Sequence, residues 1–261
     1  MGEALVVTSG KGGVGKSTLA VNLAAALALA GSRTALVDAD TGLRSLDVML
    51  GLENNVVYDL TDVAEGVCRL RQAVLRCPAV PGLSMMAASQ LRDAGSVSRE
   101  KMKDIAGQLK ESFEYVIIDC PAGVDAGFRI AAAGADRALI VTQIDPVCVR
   151  DAERVKGLLE RAGVGKTLLA VNRVRREKPK KEEPYSWDAL AQRLELPLVG
   201  LVGEDEAFSQ AAQAGRPAVL DHEDIMKTFE EMARRLKGEN LPVKPLKPLG
   251  FWQWLMKDYK D

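Results

Sequence analysis

The sequence predicts an α/β fold: a doubly wound, mostly parallel sheet with helices on both faces. Short runs rich in β-branched residues recur at 5–8, 34–38, 115–119, 138–142, 168–172 and 198–202, and most are apolar throughout. A strand apolar on both sides is covered on both sides, as in a parallel sheet. Segments of helical length lie between them at 17–30, 98–112, 146–162, 186–194 and 225–237. Strands alternating with helices imply βαβ units. The composition agrees, since 261 residues at 47% hydrophobic and 27% charged suit a globular chain with a sizeable core.

Charge and residue usage exclude several classes. Lys and Arg number 35 against 36 Asp and Glu, a net charge of −1, so the chain is not a globally basic nucleic-acid binder, and specific nucleic acid is not an expected partner. No run approaches the roughly 18 uncharged apolar residues of a membrane span. The opening MGEALVV lacks the basic start and small-residue cleavage site of a secretory signal, so a cytoplasmic location is expected. Cys68, Cys77, Cys120 and Cys148 form no C-x-x-C pair, and the single histidine, His222, stands in the acidic run DHED. That argues against a zinc centre and against a His-activated nucleophile, leaving buried or incidental free thiols in a reducing compartment.

The first strand runs into residues 10–18, GKGGVGKST. Gly10, Gly15, Lys16 and Ser17 satisfy G-x-x-x-x-G-K-[ST], between an apolar strand and a helix. Glycines let successive backbone N–H groups curl around an anion at a helix N-terminus. Lys16 adds a point charge for the β/γ-phosphates, and the Ser17 hydroxyl can ligate Mg²⁺. Gly10, Lys11, Gly12, Gly13, Val14, Gly15, Lys16, Ser17 and Thr18 are therefore the expected ATP-binding loop.

A second lysine, Lys11, follows Gly10. The pattern K-G-G-x-G-K-[ST] resembles the deviant Walker A loop of the MinD/ParA family of dimeric ATPases, and the resemblance spans essentially residues 1–237. It implies that Lys11 reaches across a dimer interface to neutralise charge on the partner's transferred phosphoryl group. Asp38 and Asp40 end the second strand as D-A-D. The family's first switch implies that Asp38 lies near Mg²⁺ and that Asp40 positions the attacking water. V-I-I-D at 116–119, followed by C-P-A-G, looks like the Walker B strand and second switch, with Asp119 holding the metal through a water. Lys11, Lys16 and Asp40 are thus the expected catalytic residues, and Ser17, Asp38 and Asp119 the metal set.

Asn172 and Arg173 end the fifth of the apolar runs. The family uses such a pair for the adenine base, and an amide can donate and accept at once; a purely structural strand-end Asn is the other reading. The next loop reads V-G-L-V-G-E-D at 199–205, with Gly203 where the family usually has proline, so a looser loop is expected.

G-L-R-S-L-D at 42–47 resembles the MinD form of the family, with Ser45 in place of the usual Asn. Segments N-V-V-Y-D at 55–59, A-A-S-Q at 87–90, V-R-D-A-E-R at 149–154 and G-R-P-A-V-L-D at 215–221 resemble the same branch. That branch implies an ATP-bound homodimer, an anionic membrane surface, a division inhibitor and an ATPase activator as partners. A flagellar-number regulator or a ParA-type segregation ATPase is the alternative within the family. An iron–sulfur relative would need bridging cysteines, and the four here make no cluster motif.

Past Gly238 the composition changes. Pro242, Pro245 and Pro248 fall three apart, the repeat of polyproline II, as in a semi-rigid spacer. On a helical wheel Phe251, Trp252, Trp254, Leu255, Met256 and Tyr259 span an arc of roughly 200°, into which Asp258 intrudes. Trp and Tyr favour the bilayer interface, and a short amphipathic helix can lie in it. The MinD branch likewise ends in a membrane-targeting helix; the closing DYKD is acidic for one and also resembles the start of an epitope tag. The expected organisation is an ATPase domain at 1–237, a Pro-rich linker at 238–250 and an amphipathic membrane segment at 251–261, peripheral on the cytoplasmic face of the membrane when ATP is bound. Residues 175–184, RREKPKKEEP, read as a solvated surface loop.

Overall fold

In the computed structural model, which describes residues 2–40, 44–89, 97–175 and 186–246, the chain begins with β1 (Glu3–Thr8), α1 (Lys16–Leu29) and β2 (Thr34–Asp38). Three short helices follow, α2 (Leu46–Met49), α3 (Leu60–Glu65) and α4 (Leu70–Ala73), then β3 (Leu75–Arg76) and β4 (Leu83–Met86). The alternation resumes with α5 (Arg99–Ser112), β5 (Tyr115–Asp119), α6 (Ala126–Ala133), β6 (Arg137–Thr142), α7 (Pro146–Arg161) and β7 (Thr167–Val174). It closes with α8 (Trp187–Leu194), β8 (Leu198–Gly203), α9 (Ala207–Gln213) and α10 (Glu223–Leu236).

Alternate residues of the central strands bury in opposite directions. Leu5 and Val7, Ile117, and Leu139 and Val141 join one apolar cluster; Ala4 and Val6, Val116 and Ile118, and Ala138 and Ile140 join the other. A strand apolar at both phases needs a cover on each face. α1, α9 and α10 cover the first face, with Phe229 and Met232 fully buried. α5, α6, α7 and α8 cover the second through Met102, Phe128, Val155 and Leu190. The eight described strands form one sheet in the order β3-β4-β2-β5-β1-β6-β7-β8, parallel except for β3. This is the doubly wound arrangement that the strand and helix runs predict.

α1 shows how composition fixes placement. Its KSTLAVNLAAALAL is alanine-rich and buried nearly all round, as expected for a helix sunk between sheet and neighbours. The polar Asn22 is tolerated there because Nδ2 donates to Thr18 O at 2.8 Å and Oδ1 accepts from Val219 N at 3.1 Å. Other helices start on side-chain caps: Ser98 accepts from Lys101 N, Ser186 from Ala189 N, and Asp145 from Val147 N and Cys148 N ahead of Pro146.

The structure adds elements that the run pattern does not predict. β3 and β4 extend the sheet beyond β2, and α2, α3, α4, α6 and α9 fill connections. LSMM in β4 lacks β-branched residues, and the added helices are eight residues or shorter, too short to show a period.

Residues 241–246, within the linker expected at 238–250, lie against the domain. Val243 and Leu246 pack on the second apolar cluster. Arg235 donates from Nε to Leu241 O at 2.9 Å, from Nη2 to Pro242 O at 2.9 Å and from Nη1 to Val199 O at 3.0 Å. The expected membrane segment at 251–261, Gly42 and Leu43, Gln90, and most of the charged loop at 175–184 lie outside the described residues.

Candidate nucleotide site

Strand register gathers the site. β1 sets Val7 beside Asp119 of β5, and β5 sets Asp119 beside Asp38 of β2. Two carboxylates at the C-terminal ends of neighbouring strands thereby flank the loop that leaves β1, where ligands of an open α/β sheet bind.

The loop is held close. Gly10 sits against α7, where an added Cβ would lie 2.7 Å from the Asp151 carbonyl oxygen. Gly15 has φ 90°, a left-handed conformation that an L side chain resists, and it accepts the first helical bond of α1 from Leu19 N at 2.9 Å. Lys11 is exposed at the loop's tip. Its backbone carbonyl accepts from the Ser9 hydroxyl at 3.0 Å.

Lys16 is buried and already paired. Its Nζ donates to Asp119 Oδ1 at 2.7 Å and to Ser17 Oγ at 3.3 Å. Asp119 is fully buried, and its second oxygen, Oδ2, has no hydrogen-bond partner. Burial raises the Asp119 pKa against the pull of Lys16. Asp38 is also fully buried, and accepts from Asp40 N at 3.0 Å with Oδ1 and from Ser45 N and Leu46 N at 3.2 and 3.3 Å with Oδ2. It therefore ties the second strand to the start of α2. Burial, then the Asp119 charge, pushes the Asp38 carboxyl up to about 7. Asp40 is half-buried and raised by the same desolvation, with Lys16 opposing.

These residues fit a Mg²⁺ ion carried with phosphate. An orphaned carboxylate oxygen, a hydroxyl at Ser17 and a second carboxylate are hard oxygen donors. Among the described residues no group of three or more His, Cys, Asp or Glu could hold a metal by itself, so phosphate and water would complete the shell. Cys120, next to Asp119, is pushed up to about 12 by burial, which leaves it a thiol without nucleophilic character.

A cleft of about 490 Å³ opens beside the loop, lined by Gly15, Asn172, Arg173, Gly203, Glu204 and Phe208 among others. Arg173 is exposed with φ 52°, where the pairing of β7 with β8 slips between Val171 and Val174. Such a bulge re-aims side chains at a strand end. Gly203 pairs with Val174, and Glu204 N donates to Val174 O at 3.1 Å. Asn172 is buried, and one N–H of its amide is already engaged: Nδ2 donates to Val14 O at 2.7 Å. Glu204 lies in the 199–205 loop that the sequence points to. Phe208 and Phe229 were not expected at the site, and they arrive from helices with no motif.

The family profile matching residues 1–237 is described as ParA: NUBPL iron-transfer P-loop NTPase. The septum site-determining protein MinD of Bacillus subtilis is 43% identical over 94% of this chain and 93% of its own length. The chain belongs to the MinD/ParA family. Its fold is also that of solved relatives. The MinC:MinD cell division complex of Aquifex aeolicus superposes with a TM-score of 0.86 at 36% identity, covering 94% of this chain and 99% of that one. The septum site-determining MinD of Pyrococcus horikoshii, solved with Mg-ADP, gives 0.82 at 26% identity over 90% and 96%. The MinD-type segments of the sequence therefore identify the branch, and the site is that of a P-loop NTPase. Among the described residues no helix is long and apolar enough to cross a membrane.

Proposed function

We propose that this MinD-type cell-division protein is a Mg²⁺-dependent ATPase that dimerises with ATP, binds the membrane surface in that form, recruits a division inhibitor, and is released when an activator triggers hydrolysis. The observation carrying the reading is the convergence of Lys16, Ser17, Asp38 and Asp119 behind a glycine loop with a second, exposed lysine.

The residues divide the work. A triphosphate in the loop offers Lys16 a stronger counter-ion than Asp119, so Lys16 swings to the β/γ-phosphates and the Asp119 carboxylate is freed. Mg²⁺ carried with the nucleotide would supply positive charge against the phosphates. Ser17 and Asp119 would hold that ion from the protein side, with Asp38 behind them. Asp40, tied through its N–H to Asp38, orients the attacking water. Lys11 stands at the exposed tip, free to reach a partner protomer's phosphate and supply positive charge as the γ-phosphoryl leaves. The relative from Aquifex aeolicus is solved in a MinC:MinD complex, which supports a division inhibitor as partner.

Phosphate release from the wild type and Asp40→Ala tests the chemistry. The variant is expected to bind ATP and form dimers yet hydrolyse at least about 100-fold more slowly, the scale on which water activation contributes. Wild-type turnover by Asp40→Ala would remove Asp40 from the mechanism.

A further inference from the structure

We propose that Asn172 is a positioning residue for the phosphate loop, locking one peptide of the loop in the orientation that anion binding needs. This rests on the nucleotide reading above and goes beyond a contact to the base. Asn172 lies at the C-terminal end of β7, far from the loop in sequence, with 7% of its surface exposed. Its Nδ2 reaches Val14 O at 2.7 Å. A carbonyl only accepts, so the amide must turn its NH₂ toward the loop, and the flip is fixed by chemistry.

The geometry of a trans peptide makes this contact consequential. C=O and N–H point opposite ways in one rigid plane. Holding the Val14 carbonyl on Asn172 therefore aims the Gly15 N–H away from β7, into the concave side of the loop. Gly15 has φ 90° and no Cβ, so rotation of the 14–15 peptide is otherwise cheap. Asn172 also fills the space beside Gly15: a Cβ there would collide with Nδ2. The glycine and the asparagine are one device, the first permitting the conformation and the second selecting it. The contact to Val14 uses one N–H of the amide, leaving the second N–H and Oδ1. Oδ1 accepts, so it suits an exocyclic amino group such as that of adenine.

Binding of a phosphate chain that lacks a base separates this role from base recognition. Affinities for Mg²⁺-ATP and for Mg²⁺-tripolyphosphate are measured by calorimetry in wild type, Asn172→Ala and Asn172→Asp, with thermal melting to confirm folding. Loop positioning predicts that both ligands weaken in both variants by a similar factor, about tenfold for a lost buried hydrogen bond that orders the site. Asn172→Asp keeps the shape but places a carboxylate against the Val14 carbonyl, and it carries the test if the alanine variant does not fold. Tripolyphosphate affinity unchanged while ATP affinity falls would make Asn172 a base contact and overturn the proposal. A melting shift with both affinities intact would make it merely structural and overturn the proposal equally. A wild type that bound neither probe would instead sink the nucleotide reading.

Discussion

Asp38 does two jobs that compete. Its oxygens accept three backbone N–H groups that hold the first switch segment to α2, while burial beside Asp119 pushes its carboxyl up to about 7. An unfolded aspartate ionises near 3.9. Between those values the folded protein binds more protons than the unfolded chain, so stability falls as pH rises through the window and is flat on either side. Asp119 and Asp40, also raised, add slopes of the same sign. Urea unfolding of the nucleotide-free protein at intervals from pH 4 to pH 8 should show Asp38→Asn losing less stability across the window than the wild type. Parallel curves for the two would place the Asp38 proton elsewhere. The phosphate loop was legible in the sequence because G-K-G-G-V-G-K-S-T carries its own spacing, whereas D-A-D and V-I-I-D were picked out by the family resemblance, and strand register brings Asp38 and Asp119 side by side. What was not legible is where Asn172 sends its amide. That depends on how closely β7 approaches the loop, and no local pattern encodes it.

At the scale of elements, the six apolar runs are strands and the five longer segments are helices because each is apolar at the phase its neighbours demand. β4 and the short helices between Ser45 and Ala73 were not legible, for lack of a repeat long enough to count. The strap at 241–246 is the clearest addition. Pro242 and Pro245 lie outward at a three-residue interval, while Val243 and Leu246 turn in against the domain, so the spacing of the prolines was visible and the docking was not. Arg235 fastens it, with only 8% of its side chain exposed and Glu231 Oε2 at 2.8 Å to hold the guanidinium. Arg235→Ala would strip a charged donor from the Leu241, Pro242 and Val199 carbonyls, at a cost of about 2 kcal/mol. For a domain of this size that corresponds to a melting temperature roughly 4–8 °C lower, with faster proteolysis at 239–246. An unaltered melting temperature and cleavage rate would mean that the strap is not held.

For the whole molecule, the sheet brings loop and switches to the ends of β1, β2 and β5, while the chain leaves α10, the last helix among the described residues, through the strap and continues into residues 247–261. A tail carrying Phe251, Trp252, Trp254 and Leu255 offers only a few large side chains to a bilayer. In the proposed function one such segment would anchor weakly, as a single acyl chain does at roughly 10⁴ M⁻¹. Two on one dimer gain about 10²–10⁴ in avidity, because the second binds at high effective concentration. Lys244, Lys247, Lys257 and Lys260 favour an anionic surface. In the proposed function nucleotide state would thus become membrane affinity, provided that Lys11 and the loop complete the dimer.

The most direct measurement is sedimentation with vesicles containing anionic lipid. The full chain should pellet with Mg²⁺-ATP, stay mostly in solution with Mg²⁺-ADP, and lose ATP-dependent pelleting in Trp252→Glu and in Lys11→Ala. Equal pelleting with ATP and ADP would contradict the account, since the tail would then not be switched by the dimer.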